Sequence, residues 1–459
     1  MLEILAGRLM APYVGVSLET FTGIIGTVLA GIALGSAVGG RMADKRDPVP
    51  LIAAAYGFGG VLAWASIPIV AALGPGANAE PAAIVVLTAT AFFAPAAVLS
   101  AVTPMVAKAQ LSSLDDTGAV VGELSAFGTA GALVGTFLTG FVLVAAFPTR
   151  TIIIIVGALL VAGAVLLSLR GARVTPPLAA IVVGAAVLGV SLVTPSRCDE
   201  ETAYNCVRIE ADDNNPSGRS LYINYLRNSY VDLDDPANLE FRYVRLLANV
   251  VDSMREGPVR AAHIGGAGVA FPRYVEATRP GSKQVVLEID GELIDIAERD
   301  LGLVLGDNLS VVVGDARLAL VDLETDGFDV IVGDAFSGIT VPWHLTTSEV
   351  AAEFDRLLVD DGIYVMNVID GGSNRFVRSQ LATLAEHFDH VGVIVSNDGT
   401  PPEFVVNQVI FASDTAFGPM TIQTSDGAAI LGPAVHQLID GARVLTDDFA
   451  PVDQLTKNE

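Results

Sequence analysis

The sequence predicts a multi-pass α-helical membrane bundle followed by a small antiparallel β domain and a doubly wound, Rossmann-like α/β domain. Three observations predict it. Apolar segments of roughly 20 residues, the length a helix needs to cross the hydrocarbon core, recur through residues 1–195. The net charge lies beyond them: residues 1–195 hold eight acidic and eight basic side chains, so the formal charge of −25 belongs to residues 196–459. From Val259 onward, short apolar runs alternate with helical stretches, the pattern of a parallel sheet covered by helices.

Six full spans are expected, over approximately 20–42, 50–73, 82–108, 120–146, 150–170 and 177–194. Polar or Pro/Gly stretches such as Gly74-Pro75-Gly76 and Arg173-Val174-Thr175-Pro176-Pro177 separate them. The first ten to fifteen residues, with Glu3 and Arg8 among apolar neighbours, read as the end of a further, partial helix whose start is missing. A cleaved signal peptide is the alternative, but no basic segment precedes the apolar run. Small residues four apart, at Gly31, Gly35 and Gly39 and again at Gly131 and Gly135, predict closely packed helix backbones. Glu123 is the one ionisable candidate for a bundle interior, which gives little support to a transport pathway. Arg41, Lys45, Arg46, Lys108, Arg170 and Arg173 fall on one set of loops, and Arg150 with Arg8 on the other. The positive-inside rule then favours a multi-pass cell-membrane protein with residue 196 onward outside.

The acidic half argues against nucleic acid as a partner, because it repels phosphate backbones. Only four lysines occur in the chain, and an acidic, Lys-poor surface also suits high salt. The two cysteines, Cys198 and Cys206, follow the last span. Their spacing allows either a disulfide, in an oxidising compartment, or two free thiols.

Residues 196–258 are expected to form the small β domain and linker, with strands over Tyr204–Ile209, Ser220–Ile223 and Tyr230–Leu233. Residues 259–459 form the α/β domain, with strands at Ala261–Ile264, Val285–Ile289, Val311–Val313, Val330–Val332, Ile363–Val368 and Val391–Val395. In such a sheet the ligand lies beyond the carboxyl ends of the strands. Strand one runs into His263-Ile264-Gly265-Gly266-Ala267-Gly268, a turn lacking bulky side chains that a nucleoside can approach. Strand two ends in Glu288-Ile289-Asp290, where a carboxylate can accept both ribose hydroxyl protons. Strand three ends in Gly314-Asp315-Ala316, suited to an adenine amino group, and strand four in Gly333-Asp334-Ala335-Phe336-Ser337-Gly338. Four acidic or glycine-rich strand ends in series point to one nucleoside site more strongly than any one of them.

These motifs resemble those of the spermidine synthases, or polyamine aminopropyltransferases, within the class I S-adenosylmethionine-dependent methyltransferase-type fold. The chain looks most like the membrane-fused, spermidine synthase-like group. Glu3-Ile4-Leu5-Ala6-Gly7-Arg8-Leu9 with Pro12-Tyr13-Val14-Gly15 carries that likeness, as do Gly39-Gly40-Arg41-Met42-Ala43-Asp44 and Asp334-Ala335-Phe336-Ser337 followed by Pro342-Trp343-His344-Leu345-Thr346-Thr347. The resemblance implies that Gly265, Gly266 and Gly268 face the sulfonium side of decarboxylated S-adenosylmethionine. It implies ribose binding by Glu288, with Asp290 beside it, and adenine binding by Asp315 with Ala316. Asp334 would be the catalytic aspartate that takes a proton from, or orients, the attacking amine. Asn205, Tyr243 and Ser337 would contact substrate, and His344, in the loop after Asp334 where a lid over the site would fall, reads either as a substrate contact or as a loop-packing residue. No prosthetic group and no metal are implied; the donor is a co-substrate.

The chain also departs from the family. Gly268 stands where members carry an aspartate for the donor's amine, Ser337 replaces a second loop aspartate, Asn205 a glutamine, and Tyr243-Val244-Arg245 an otherwise more polar run. The expected activity is aminopropyl transfer to a diamine such as putrescine, with a methyltransferase and a non-catalytic nucleoside- or polyamine-sensing membrane protein as alternatives. Expected partners are small nucleosides and amines and membrane lipid, and a homo-oligomer is compatible with the sequence. Thr346-Thr347-Ser348-Glu349 reads as a helix capping box, with Thr346 as the cap. His387 and His390 have a metal-compatible spacing but no third ligand.

Overall fold

The computed structural model describes residues 1–77, 80–111, 117–172, 178–254, 256–266, 268–336, 338–395, 406–417 and 427–456. Two compact units emerge, one of residues 1–208 with 223–226 and one of residues 209–222 with 227–459.

In the first unit, helix α1 (Leu2–Val14) precedes five helices long and apolar enough to cross a membrane: α2 (Leu18–Ala43), α3 (Pro48–Gly76), α4 (Pro81–Gln110), α5 (Thr117–Ala146) and α6 (Thr149–Arg170). Over the expected sixth span, 177–194, helix α7 (Leu178–Val193) is described for 16 residues and begins directly after the undescribed stretch. Residues 173–177 lie outside the described residues.

The first glycine series packs as expected. A Cβ at Gly31, Gly35 or Gly39 would fall within 3 Å of backbone on α4, at Phe93, Ala97 and Ala101 respectively, so these helices touch backbone to backbone. Helices α3 and α6 approach in the same way: a Cβ at Gly60 would lie 2.6 Å from the Gly157 carbonyl, and Trp64 Nε1 donates to the Ile154 carbonyl at 3.0 Å. The second series does not behave this way. Gly131 has no atom within 4 Å of a built Cβ and Gly135 meets only the Met1 side chain, because α5 buries almost none of its surface in the unit.

After α7, strands β1 (Glu200–Glu201), β2 (Cys206–Asp212), β3 (Asn215–Ile223) and β4 (Leu226–Asp232) form a sheet in sequence order. Cys198 and Cys206 form a disulfide with Cα atoms 5.2 Å apart, which resolves the open choice between a bridge and free thiols.

In the second unit, helix α8 (Arg242–Asp252) leads into an eight-stranded sheet. Its strands are β5 (Arg260–Ile264), β6 (Lys283–Glu288), β7 (Leu309–Val313), β8 (Phe328–Gly333), β9 (Leu358–Asp370), β10 (His390–Val395), β11 (Val406–Ser413) and β12 (Ala428–Leu431). The order is β12-β10-β11-β9-β8-β5-β6-β7. Strands β5 to β9 run parallel, whereas β10, β11 and β12 join antiparallel. Helices α9 (Ala270–Thr278), α10 (Gly291–Asp300), α11 (Ala316–Leu320), α12 (Ser348–Leu357) and α13 (Arg375–Leu384) connect the strands. The central strands are buried by two apolar clusters, one around Leu246, Val330 and Phe411 and one around Ile331, Phe354 and Leu381. The chain reverses direction across the sheet between β5 and β8, the place where doubly wound sheets open a crevice.

The capping box is replaced by another arrangement. Thr347 is the N-cap of α12 and makes no side-chain cap bond. Its hydroxyl donates to Asp447 and accepts from Arg317, and Glu349 accepts from the Asp447 backbone N–H. With both side chains bound to the 447 loop, neither is left for the helix end.

Candidate active site

Register places the site. Gly333, the last residue of β8, pairs with Met366 of β9, so Asp334 emerges beside Asn367. Asn367 Nδ2 donates to Asp334 Oδ1 at 2.9 Å, and Tyr243 of α8 donates its hydroxyl to Oδ2 at 3.3 Å. Asn407 of β11 fixes the Asn367 amide by donating to its Oδ1 at 3.0 Å. Protein atoms ring Asp334, and this burial pushes its carboxyl up to about 6 against the opposing hydrogen bonds from Asn367 and Tyr243. Burial, followed by the neighbouring Asp334 charge, holds the Tyr243 phenol well above 10, so at neutral pH Tyr243 is a donor.

The glycine turn follows β5 and touches Asp334 directly. Gly265 has φ +84°, and a Cβ there would lie 2.6 Å from the Asp334 carbonyl oxygen. Only glycine combines that backbone with that approach. A Cβ on Gly266 would meet Val286 at 2.3 Å, and one on Gly268 would meet Ser229 Cβ and Oγ at 1.9 Å. Ser229 thus fills the space a side chain at 268 would need. Val269, with φ +46°, is a β-branched residue held in the left-handed region at the start of α9, local strain of the kind that accumulates at functional turns.

Glu288 ends β6 and is 6% exposed. The Gly266 N–H donates to its Oε2 at 2.9 Å and the Asp290 N–H to its Oε1 at 3.0 Å. Each oxygen keeps acceptor capacity for a further donor, as a pair of vicinal hydroxyls would supply. Burial raises the Glu288 pKa, partly offset by these backbone donors. Asp290 is buried at the start of α10. Asp315 caps α11 through the Arg317 N–H, at 2.8 Å, and its other oxygen lies 3.5 Å from His344 Nε2. Ala316 is buried beneath it.

The structure therefore brings together Gly265, Gly266, Gly268, Glu288, Asp290, Asp315, Ala316 and His344 along the carboxyl ends of neighbouring strands, with Asp334 and Tyr243 one strand further on. Ser337 and Ala267 lie outside the described residues. Asn205 belongs to the first unit, in the turn between Thr202 and Cys206, where its Oδ1 accepts from Asn224 Nδ2 at 3.2 Å. Val244 is buried in the apolar core around Leu246. Sequence reasoning missed Asn367 and Asn407; the signal for Asn367 was a lone amide in the apolar run Tyr364–Val368, since a buried polar group needs a partner. His263, although beside the turn, is structural: buried and 2.8 Å from Gln284 Oε1, it is held neutral, its pKa lowered to about 4 by burial. His387 Nε2 lies 2.8 Å from Ser348 Oγ, and His390 opens β10; no group of three metal-type ligands occurs among the described residues.

Parts of the chain are similar to known proteins. The chain is 28% identical over 230 residues to the polyamine aminopropyltransferase of Vibrio vulnificus, a match covering 47% of this chain and 75% of that protein. The second unit is spermidine synthase-like. A second relative, the polyamine aminopropyltransferase of Chromobacterium violaceum, is 28% identical over 140 residues, about half its length (53%) and 30% of this chain. Among solved structures, a probable spermidine synthase from Corynebacterium glutamicum superposes with a TM-score of 0.52 at 26% identity, covering 56% of this chain and 99% of that one. No family model matches the chain.

Proposed function

We propose that the second unit is an aminopropyltransferase that moves the aminopropyl group of decarboxylated S-adenosylmethionine to an amine such as putrescine, and that the apolar helices anchor it in a membrane. The observation that carries this reading is Asp334: a carboxylate held by Tyr243 and Asn367, adjoining the glycine turn that Glu288 braces. In the reaction the amine nitrogen attacks the carbon next to the sulfonium. The carbon–sulfur bond breaks, its electron pair returns to sulfur to give neutral methylthioadenosine, and the proton released by the nitrogen passes to Asp334. A carboxylate with a pKa near 6 is ionised at neutral pH and close enough to it to accept a proton in the transition state. Glu288 holds the ribose, and Asp315 with His344 borders the adenine end.

The amine-holding groups are few. Ser229 occupies the space beside Gly268, so the donor's amine meets a hydroxyl instead of a carboxylate, and slow turnover with putrescine is expected. The test is direct: purified protein receives putrescine with either decarboxylated S-adenosylmethionine or S-adenosylmethionine, and products are followed by mass spectrometry. Methylthioadenosine supports the proposal; adenosylhomocysteine would assign methyl transfer instead.

A second reading rests on the disulfide. Cys198–Cys206, together with the six-to-two distribution of loop cations, favours a second unit facing an oxidising compartment, away from a cytosolic supply of donor. There, binding of a nucleoside or polyamine without transfer would make the unit a sensor.

A further inference from the structure

A cavity of about 40 Å³ lies in the first unit where three helix ends meet the linker. Arg8 of α1, Arg150 in the first turn of α6, Arg197 of the linker, Tyr13 and Glu201 line it. Arg8 donates to the Thr202 and Ala203 carbonyls at 2.6 and 2.7 Å and sits 3.8 Å from Glu201. Arg150 donates to the Ser191 and Thr194 carbonyls at the end of α7. These carbonyls fix the guanidinium groups without neutralising them. Arg197 is exposed, and its guanidinium lies over the Tyr13 ring, 5.2 Å from the centroid. Gly74 makes room for that ring, since a Cβ there would be 2.5 Å from Tyr13 Cγ. Three cations thus surround the cavity against one carboxylate, Glu201, whose Oε2 also takes the Thr149 N–H at 2.9 Å.

We propose that this cavity binds a phosphate-bearing anion, in the setting of a membrane the phosphate of a lipid headgroup. The size fits: a water needs roughly 10–15 Å³ on this measure, so 40 Å³ admits a few waters or one small oxyanion. The charge fits, because three arginines line the cavity against one carboxylate and arginine's planar fork matches phosphate oxygens. The position also fits. Apolar α6 begins and apolar α7 ends at the cavity, and the chain turns polar from Ser196, so headgroup level and cavity coincide once the helices span a bilayer. Tyr13 is the type of residue that marks such an interface. The lipid source rests on the membrane placement proposed above; phosphate binding by the three arginines does not.

The test uses the full-length protein, delipidated in a neutral detergent, with thermal stability and native mass spectrometry as readouts. Phosphatidylglycerol, phosphatidylcholine and inorganic phosphate are titrated separately. Arg197→Gln removes the accessible cation without touching a carbonyl tie, and Arg41→Gln, on an exposed arginine at the other end of α2, is the control. The expected result is retention of phosphatidylglycerol that weakens by about tenfold in Arg197→Gln, the cost of one charge-assisted hydrogen bond, and is unchanged in Arg41→Gln. The same arginine dependence with inorganic phosphate alone would support the site and assign a free anion. Lipid retention indifferent to Arg197, or no arginine-dependent binding of any probe, would overturn the proposal. Extraction of the protein from membranes by alkaline carbonate would separately refute the membrane placement.

Discussion

Asn367 and Asp334 lie side by side at the ends of parallel strands, the amide donating to the carboxylate at 2.9 Å while Asn407 holds the amide's other end. Asn367 cannot flip without losing both bonds, so the carboxylate always faces an N–H donor. That contact stabilises the ionised form and opposes the burial that raises the Asp334 pKa.

Replacing Asn367 with Leu should therefore move the Asp334 pKa further upward from about 6. Because the proposed base must be ionised, the acidic limb of the rate–pH profile should shift to higher pH, by about one unit for the loss of one hydrogen bond to a charge. Asn407→Leu should shift it in the same direction by less. An unchanged limb in both variants would show that the amide pair serves only the strand ends.

Asp334 should also be expensive to keep. Its folded pKa of about 6 exceeds the ordinary 3.8, so it contributes nothing to stability below about pH 4, where both states are protonated, and its cost grows as pH rises to 6 and then levels. Asp334→Asn should accordingly be more stable than wild type above pH 6, by about 3 kcal/mol, and equal to it near pH 3. Thermal unfolding at both pH values checks this, and a variant less stable at neutral pH would contradict it.

Glu288 braces the turn and, in the proposed function, holds the ribose. Glu288→Gln keeps one acceptor for the backbone N–H groups but loses the charge, so methylthioadenosine affinity measured by calorimetry should fall about tenfold or more. Affinity within twofold of wild type would remove Glu288 from the pocket.

Gly268→Ala should destabilise the second unit by about 1–3 kcal/mol through overpacking against Ser229. Adding Ser229→Gly should restore most of the loss. If the double variant were no better than the single one, the contact would not be the cause.

Sidedness has its own measurement. After reduction, a membrane-impermeant thiol reagent applied to intact cells should label Cys198 or Cys206; labelling only after lysis would put the disulfide's segment in the cytoplasm.

The strand ends were legible because parallel strands buried on both faces must be apolar throughout, which makes a Gly, Asp or Glu at the end of a run conspicuous. Strands β5, β6, β8 and β9 were found for that reason, and the apolar runs of β7 and β10 were located as well. Strand β11 was not, because Asn407 and Gln408 break its apolar run, and both serve side-chain partners, Asn367 and Asn374. The pairing of Asp315 with His344 and the filling of the Gly268 space by Ser229 join residues far apart in the chain, and no spacing reveals such contacts. The glycine spacing in α5 matched that in α2, yet only α2 meets a partner, because a small-residue pattern permits close packing without supplying the neighbour.

In the proposed function Asp334 carries group transfer at a nucleoside site built by Glu288 and the glycine turn. Methylthioadenosine formation from decarboxylated S-adenosylmethionine and putrescine, compared between wild type and Asp334→Asn per mole of folded protein, tests it most directly. The expected result is a fall of about 10²–10⁴-fold, typical of losing a general base, with methylthioadenosine affinity nearly unchanged. Equal product formation by the two proteins, or none by the wild type while it still binds the nucleoside, would contradict it.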